Sequence, residues 1–294
     1  MILVTGGTGY VGSRLVQKLV EQGREVRLLV RDSTEGKRKF PNGVEFAQGD
    51  VTAPETLLVA LAGVETVIHL VAIIRERGGL TFEQVNYQGT VNVVDAEKEA
   101  GVRRHIQMSA LGVLRDPNFP YHDTKYRAEQ YVKASGLGWT IFRPSIIFGP
   151  GDQFFSTLAG LAKWPAPFVL PDGGTAQFQP VWLWDVVDAF IATLDDPATI
   201  GRTYELGGPE VLSYKEMVRI LMDVTGKHRP MLPLPAALLK PAAFLFDKAL
   251  PKPPVTPEQL KMLRLDNSSK DSATATLIGR PPKSLREGLE YLNG

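Results

Sequence analysis

The chain contains no cysteine. Disulfides, thiol nucleophiles and cysteine-ligated metals are therefore excluded, and no metal centre is expected. No apolar run reaches the ~18 residues that a membrane-spanning helix needs. An excess of one charge is missing too. Lys plus Arg number 33 against 32 Asp plus Glu, a net charge of +1, which gives no electrostatic case for a nucleic-acid partner. Internal repeats and low-complexity stretches are absent. The chain opens directly on an apolar strand, so no signal peptide is expected. The expected location is the cytoplasm, with peripheral attachment to the inner face of a membrane as the alternative. A length of 294 residues allows one large or two modest domains, and 44% hydrophobic residues is an ordinary globular value.

What is present is concentrated at the start. Met1 to Thr5 is a short apolar run suited to a buried parallel strand. Gly6, Gly7, Thr8, Gly9, Tyr10, Val11 and Gly12 follow at once. Ser13 to Gln22 then reads as a helix, with Val11, Leu15, Leu19 and Val20 on one face. Gly7, Gly9 and Gly12 satisfy G-x-G-x-x-G between a strand and a helix, the context that gives this pattern meaning. One glycine allows the tight turn, one lets backbone approach a pyrophosphate, and one lets helix and strand pack closely. The N–H groups at the helix start then face the phosphates.

The next strand, Glu25 to Val30, ends before Arg31 and Asp32. A carboxylate at this place bonds the ribose hydroxyl of NAD, whereas a guanidinium suits a 2′-phosphate. Arg31 favours NADP(H), and Asp32 keeps NAD(H) open. The run Lys37, Arg38, Lys39 reads as a solvated loop. Val44 to Phe46 is a third strand. Asp50, beside Val51, can cap a helix from Pro54 and reach an adenine, two compatible roles. Val64 to Val71 forms a fourth strand in which His69 reads as structural. Ala72 to Leu80 is a loop. A helix follows over Phe82 to Ala100, ended by Gly101, and then a fifth strand from His105 to Ser109. This alternation predicts an α/β fold, a doubly wound parallel sheet of Rossmann type with helices on both faces.

Ser109 ends the fifth strand, and twelve residues later come Tyr121 and Lys125. Positions i and i+4 share a helix face, so phenol and ammonium point the same way, toward the strand ends where ligands sit. An ammonium favours phenolate, which makes tyrosine a proton donor or acceptor. A serine hydroxyl beside it holds a carbonyl or alcohol oxygen. The competing reading is an amphipathic helix with a packed tyrosine and a solvated lysine.

Together these motifs resemble those of the extended or atypical short-chain dehydrogenase/reductases, the NAD-dependent epimerase/dehydratase family. The resemblance covers essentially the whole chain. Thr5 to Gly12 matches the family's T-G-x-x-G-x-x-G. Asp50 and Val51 match its adenine-side pair. Asn86 to Asn92 matches its N-x-x-G-T-x-N helix, and Arg143 to Gly151 matches the strand and loop after the catalytic residues. Pro180 to Val186 and Leu206 to Pro209 are similar to the branch containing the NADPH-binding accessory subunit of respiratory complex I and its bacterial relatives. The resemblance implies catalytic roles for Ser109, Tyr121, Lys125 and Asn86. It implies cofactor contacts from Thr5 to Gly12, Arg31, Asp50, Val51, Leu70, Val71, Ala72, Tyr121, Lys125, Pro144 and Ile146. Ser109 stands alone between Met108 and Ala110, where many family members have a richer serine or threonine run and a longer gap to the tyrosine.

After a sixth strand, Trp139 to Arg143, the alternation stops. Gln153 to Lys163 reads as a helix and Phe168 to Leu170 as a strand. Pro180 to Leu194 returns to the nucleotide domain and ends in a helix. Tyr204 to Leu206 is a strand, and Ser213 with Glu216 forms a capping box for a helix through about Val224. The expected division is a dinucleotide domain over 1–148, continued by about 178–208, and a small mixed substrate lobe over 149–177 and 209–294. Trp164, Phe168, Trp182 and Trp184 fit either an apolar ligand or core packing. Leu232 to Leu250 reads as a core helix pair, with docking on a bilayer surface or lining a greasy pocket as alternatives. The closing helix covers Ser284 to Leu292. Two functions stay open: an oxidoreductase or sugar-nucleotide epimerase/dehydratase acting on a small carbonyl or alcohol substrate, and a non-catalytic NADPH-binding subunit or assembly factor of a quinone-linked membrane complex.

Overall fold

The computed structural model describes residues 1–40, 42–250 and 255–293; of the expected substrate lobe, 251–254 and 294 lie outside the described residues. In chain order the elements are β1 (Ile2–Thr5), α1 (Tyr10–Glu21), β2 (Val26–Val30), α2 (Ser33–Lys39), β3 (Val44–Gln48), α3 (Leu57–Ala60), β4 (Thr66–His69), α4 (Gly89–Ala100), β5 (Arg104–Met108), α5 (Pro120–Lys133) and β6 (Gly138–Pro144). They continue as β7 (Ile147–Phe148), α6 (Phe154–Lys163), β8 (Phe168–Pro171), β9 (Gln177–Phe178), β10 (Val181–Trp182), α7 (Leu183–Thr193), β11 (Arg202–Leu206), β12 (Leu212–Ser213), α8 (Tyr214–Thr225), β13 (Met231–Leu234), α9 (Ala236–Ala249), α10 (Pro257–Met262), α11 (Thr274–Ile278) and α12 (Leu285–Gly288).

One compact unit comprises Met1–Arg143 and Val186–Tyr204. Its centre is a seven-stranded sheet in the order β11-β6-β5-β4-β1-β2-β3, and the neighbouring pairs from β3 through β6 are parallel. This is the doubly wound arrangement the alternation predicts. β1 is buried along its whole length, as a central parallel strand covered on both faces must be. α1 packs through Val11, Gly12, Leu15, Val16 and Leu19; Val16 takes the place expected for Val20. Each leucine so buried stabilises the fold by about 1.5–3 kcal/mol. The helix expected over 82–100 has two parts, a π-helical stretch at Glu83–Gln88 that continues into α4. π-bulges of this kind often occur at functional sites, and this one carries Asn86.

The second unit comprises Pro144–Asp185 and Glu205–Gly294. Three two-stranded pairs, β7 with β10, β9 with β12 and β8 with β13, surround a core that includes Phe148, Phe155, Phe168, Tyr214, Met217 and Leu221. The Ser213–Glu216 capping box is present at α8. Leu285 and Leu289 of the closing helical segment join that core. Phe168 is buried and Trp182 packs against Phe148, while Trp164 is exposed. The stretch over 232–250 departs from expectation. It forms one short strand and one helix, α9, that runs through Pro241 and buries only Ala236 and Ala243.

Candidate active site

The carboxyl ends of the central strands lie in register, Thr5 beside His69 and His69 beside Gln107. The glycine turn leaves β1 at this level. Gly6 has φ of 73°, and a Cβ there would stand 3.1 Å from the Leu70 carbonyl carbon and from the Val71 nitrogen. A Cβ on Gly12 would lie 2.2 Å from the Gly6 carbonyl oxygen, and one on Gly7 would lie 2.6 Å from the Leu28 side chain. At Gly6 and Gly12 strand, turn and helix therefore close only with hydrogen, whereas at Gly7 the end of the Leu28 side chain would have to turn aside. Gly9 donates its N–H to the Gly6 carbonyl at 3.0 Å. It immediately precedes α1, whose N-terminus has no side-chain cap among the described residues and no acidic residue in its first turn. The donors left there fit the pyrophosphate of a dinucleotide. Gly12→Ala is expected to destabilise the protein by about 1–3 kcal/mol through forced displacement of the turn and to remove nucleotide binding, as read by denaturant unfolding and calorimetric titration.

At the end of β2, Arg31 is exposed. The Asp32 carboxylate instead caps α2, accepting from the Thr34 N–H at 2.8 Å. Lys39, expected to be a solvated loop residue, donates to the carbonyl of Thr8 within the glycine turn. Asp50 does not cap the helical turn at Pro54–Thr56, whose cap residue is Ala53. Its carboxylate accepts instead from both the backbone N–H and the hydroxyl of Thr52, each at 2.8 Å, a local turn that wins because it is only two residues away. Val51 is buried, and its carbonyl accepts from Asn92 Nδ2 at 2.8 Å. Leu70 follows β4 and donates its N–H to the Thr5 carbonyl at 3.1 Å. Val71 and Ala72 continue toward Ile73, whose N–H and carbonyl are both held by the Asn86 side-chain amide, at 2.8 and 3.0 Å. Pro144 ends β6 and Ile146 precedes β7; both belong to the second unit.

Beneath this surface runs buried polar structure. His69 Nδ1 lies 2.6 Å from Thr5 Oγ1, and His69 Nε2 lies 3.3 Å from Thr90 Oγ1. Thr90 donates its own proton to the Asn86 carbonyl, so it accepts from Nε2–H, and Nδ1 accepts from Thr5. Burial first, then His105 and Lys125, holds His69 well below the usual histidine range. It is a neutral strut tying β1, β4 and α4. One strand over, His105 Nδ1 meets both Glu97 oxygens, at 2.8 and 2.9 Å, and Nε2 meets Gln107 Oε1 at 2.9 Å. Both ring nitrogens donate, as an imidazolium requires.

Ser109 follows β5, and its N–H donates to the Phe142 carbonyl at 2.7 Å. Its hydroxyl is buried and has no partner among the described residues. Buried polar groups are ordinarily bonded, whereas this hydroxyl keeps its donor and acceptor capacity uncommitted among the described residues. Lys125 Nζ donates to the carbonyl of Met108, the preceding residue, at 2.7 Å. Burial lowers the Lys125 ammonium to about 8, against the opposing pull of Glu129. Lys125 is thus not the solvated lysine of the competing reading. Tyr121 is buried one turn earlier on α5, edge-on to Phe82 at 5.8 Å between ring centroids. The expected lowering of its phenol by a lysine is not what dominates here, since burial pushes it up to about 12. Sequence patterns had no way to mark the Glu97–His105 pair, whose members come from separate elements, while the structural reading of His69 agrees with its Thr5 and Thr90 partners.

The NAD(P)H-binding family model matches residues 6–152. The mitochondrial NADH dehydrogenase (ubiquinone) 1 alpha subcomplex subunit 9 of Arabidopsis thaliana is 30% identical over 285 residues, covering 92% of this chain and 71% of that protein. The 3 beta-hydroxysteroid dehydrogenase/Delta 5→4-isomerase of Mycobacterium tuberculosis (strain CDC 1551 / Oshkosh) is 28% identical over 338 residues, covering 99% and 90% of the two chains. In fold, a nucleoside-diphosphate-sugar epimerase from Staphylococcus aureus superposes with a TM-score of 0.81 at 19% identity, covering 100% of this chain and 99% of that one. With its glycine turn, sheet order and these relatives, the chain belongs to the NAD(P)H-binding family of extended short-chain dehydrogenase/reductases of the epimerase/dehydratase type.

Proposed function

We propose that this protein is an NADP(H)-dependent oxidoreductase that interconverts a secondary alcohol and a ketone. The observation that carries this reading is the partnerless, buried Ser109 hydroxyl, one residue beyond the Met108 carbonyl gripped by Lys125. Ser109 would donate to the reacting oxygen. Tyr121 would exchange the alcohol proton at its hydroxyl. Lys125, held in place by Met108, would supply positive charge that favours the phenolate whenever the phenol must give up its proton. Asn86, fixed on both sides of Ile73, would hold the segment 71–73 beside the glycine turn. The bound nicotinamide would supply or accept the hydride. Epimerisation or dehydration of a sugar nucleotide would use the same residues and falls within this reading. The test is absorbance of reduced nicotinamide on incubation with a panel of secondary alcohols that includes 3 beta-hydroxysteroids, since a relative acts on that class.

The preference for NADP(H) rests on three side chains. Arg31 is exposed at the end of β2, Asp32 is committed to capping α2, and Lys39 adds a second cation at the turn. NADPH is expected to raise the unfolding temperature more than NADH. Arg31→Ala is expected to weaken NADPH by about 10- to 100-fold, the loss of one charge-assisted hydrogen bond, and to leave NADH unchanged. A stronger response to NADH would overturn the assignment.

A second reading has its own support in the likeness, across nearly the whole chain, to a subunit of a respiratory dehydrogenase. There the protein would hold NADPH without turning it over, as a component or assembly factor of a membrane complex. Slow cofactor exchange, absence of turnover across the alcohol panel and co-purification with respiratory subunits would favour it. Rapid exchange with turnover would exclude it.

A further inference from the structure

α9 inverts the usual pattern of a surface helix. Such a helix hides its apolar stripe and shows water its charges. Here the stripe facing the core of the unit is small, Ala236 and Ala243 with Leu239 beside them. The opposite face carries Leu238, Pro241, Phe244 and Leu245, and all four are exposed. Leu238 is 67%, Phe244 58% and Leu245 63% exposed. Helical spacing puts Leu238 and Leu245 on one line, with Phe244 and Pro241 to one side. Leu232 in β13 and Leu250 just beyond α9 extend the exposed apolar surface at either end. Contiguous apolar surface of this kind marks an interaction site.

The charges on the same element say what covers it. The exposed charged side chains of α9 are Lys240 and Lys248, and its one carboxylate, Asp247, is half-buried. Lys248 lies over the Phe244 ring at 5.6 Å, a long apolar stem beside an apolar ring with its ammonium at the rim. Lys227 and Arg229 precede β13, and both are exposed. An apolar face flanked by Lys240 and Lys248, with no exposed acid on the helix itself and with the exposed Asp172 that accepts from the Ala236 N–H paired to Arg264, complements a bilayer surface bearing anionic lipid. At 14 residues the helix is about 21 Å long, too short to span and suited to lying in the interface.

We propose that the outward face of α9, extended by Leu232 and Leu250, docks this protein on the surface of an anionic membrane. The docking is independent of the chemistry assigned to Ser109, Tyr121 and Lys125.

The experiment is co-sedimentation of the full chain with vesicles of phosphatidylcholine alone and of phosphatidylcholine with phosphatidylglycerol. Binding is expected with phosphatidylglycerol vesicles, rising with their content and falling with salt. Lys240→Ala and Lys248→Ala are each expected to weaken it by about five-fold. The double variant Leu238→Glu/Leu245→Glu is expected to lose it while keeping the wild-type NADPH-induced thermal shift, which shows that the chain still folds. No sedimentation of wild type with either vesicle, or equal sedimentation of the double variant, overturns the proposal. So does a wild-type dimer, seen by analytical ultracentrifugation without vesicle binding, that the double variant converts to monomer.

Discussion

Tyr121→Phe is expected to lower turnover of the alcohol or ketone substrate by about 10²- to 10⁴-fold, the usual worth of a positioned proton donor. The substitution removes one hydroxyl and keeps the ring that packs edge-on to Phe82. Nucleotide binding and the unfolding midpoint should therefore stay near wild type, so that the loss falls on kcat. The pH dependence follows from the two side chains. The phenol, pushed up to about 12 by burial, remains protonated across the working range, which suits it to deliver a proton in ketone reduction. The Lys125 ammonium, lowered to about 8 by burial, loses its charge as pH rises through that value. Reduction is accordingly expected to decline above about pH 8 and to be flat below it. Turnover unchanged in Tyr121→Phe would falsify the assigned proton route.

Glu97→Ala carries the largest expected effect on stability. Glu97 and His105 are fully buried, and their contact joins α4 to β5 at the centre of the unit. Removing one partner of a buried pair leaves the other charge without compensation, at a cost of about 3–5 kcal/mol. Urea unfolding should report that difference near neutral pH, and Glu97→Gln should lose less because an amide can still accept from Nδ1. The sign of the pH dependence is fixed by His105. Burial opposes its charge, but the Glu97 carboxylate and the Gln107 amide outweigh burial and raise it. A raised histidine stabilises fully below its unfolded pKa near ~6.5, and that stability is lost as pH rises through the folded value. Glu97 is itself raised, chiefly by burial and against the pull of His105, and its contribution likewise fades as pH rises. The gap between wild type and Glu97→Ala should therefore narrow toward alkaline pH; a gap that widens would contradict the charged pairing.

The glycine turn and the strand alternation were legible because their causes are local. Gly12 is required by its contact with Gly6, six residues away, and Gly6 by its own positive φ, although the backbone it approaches, Leu70 and Val71, comes from far along the chain. The Tyr121–Lys125 spacing was legible as a helix face, but the environment of both groups was not, since burial comes from elements distant in sequence. The same distance hid the Thr5–His69–Thr90 link and the Glu97–His105 pair. Asp50 and Asp32 show the converse. Asp32 reads as a ribose ligand and Asp50 as a cap and adenine contact, and besides any such role each makes a hydrogen bond to a neighbour two residues away that the sequence does not announce. At α9 an apolar run reads as core and lies largely exposed. Composition alone cannot tell an inward stripe from an outward one when small alanines provide the inward face.

Arg104 sets an order on how the chain is made. Its guanidinium is buried at the start of β5 and donates to the Gly138 carbonyl, the Thr140 hydroxyl, the Thr193 carbonyl and the Thr199 hydroxyl. The last two belong to the segment Val186–Tyr204, which rejoins the first unit only after the chain has passed through Pro144–Asp185. A nascent polypeptide that has reached only Arg143 thus carries every residue of the glycine turn and of the Ser109–Tyr121–Lys125 set, yet leaves the Arg104 guanidinium with two of these four partners still untranslated. Domains otherwise tend to fold one after another as they emerge during synthesis. Here the first unit must wait for Thr199, while the intervening segment is already outside the ribosome and waiting for its own C-terminal half.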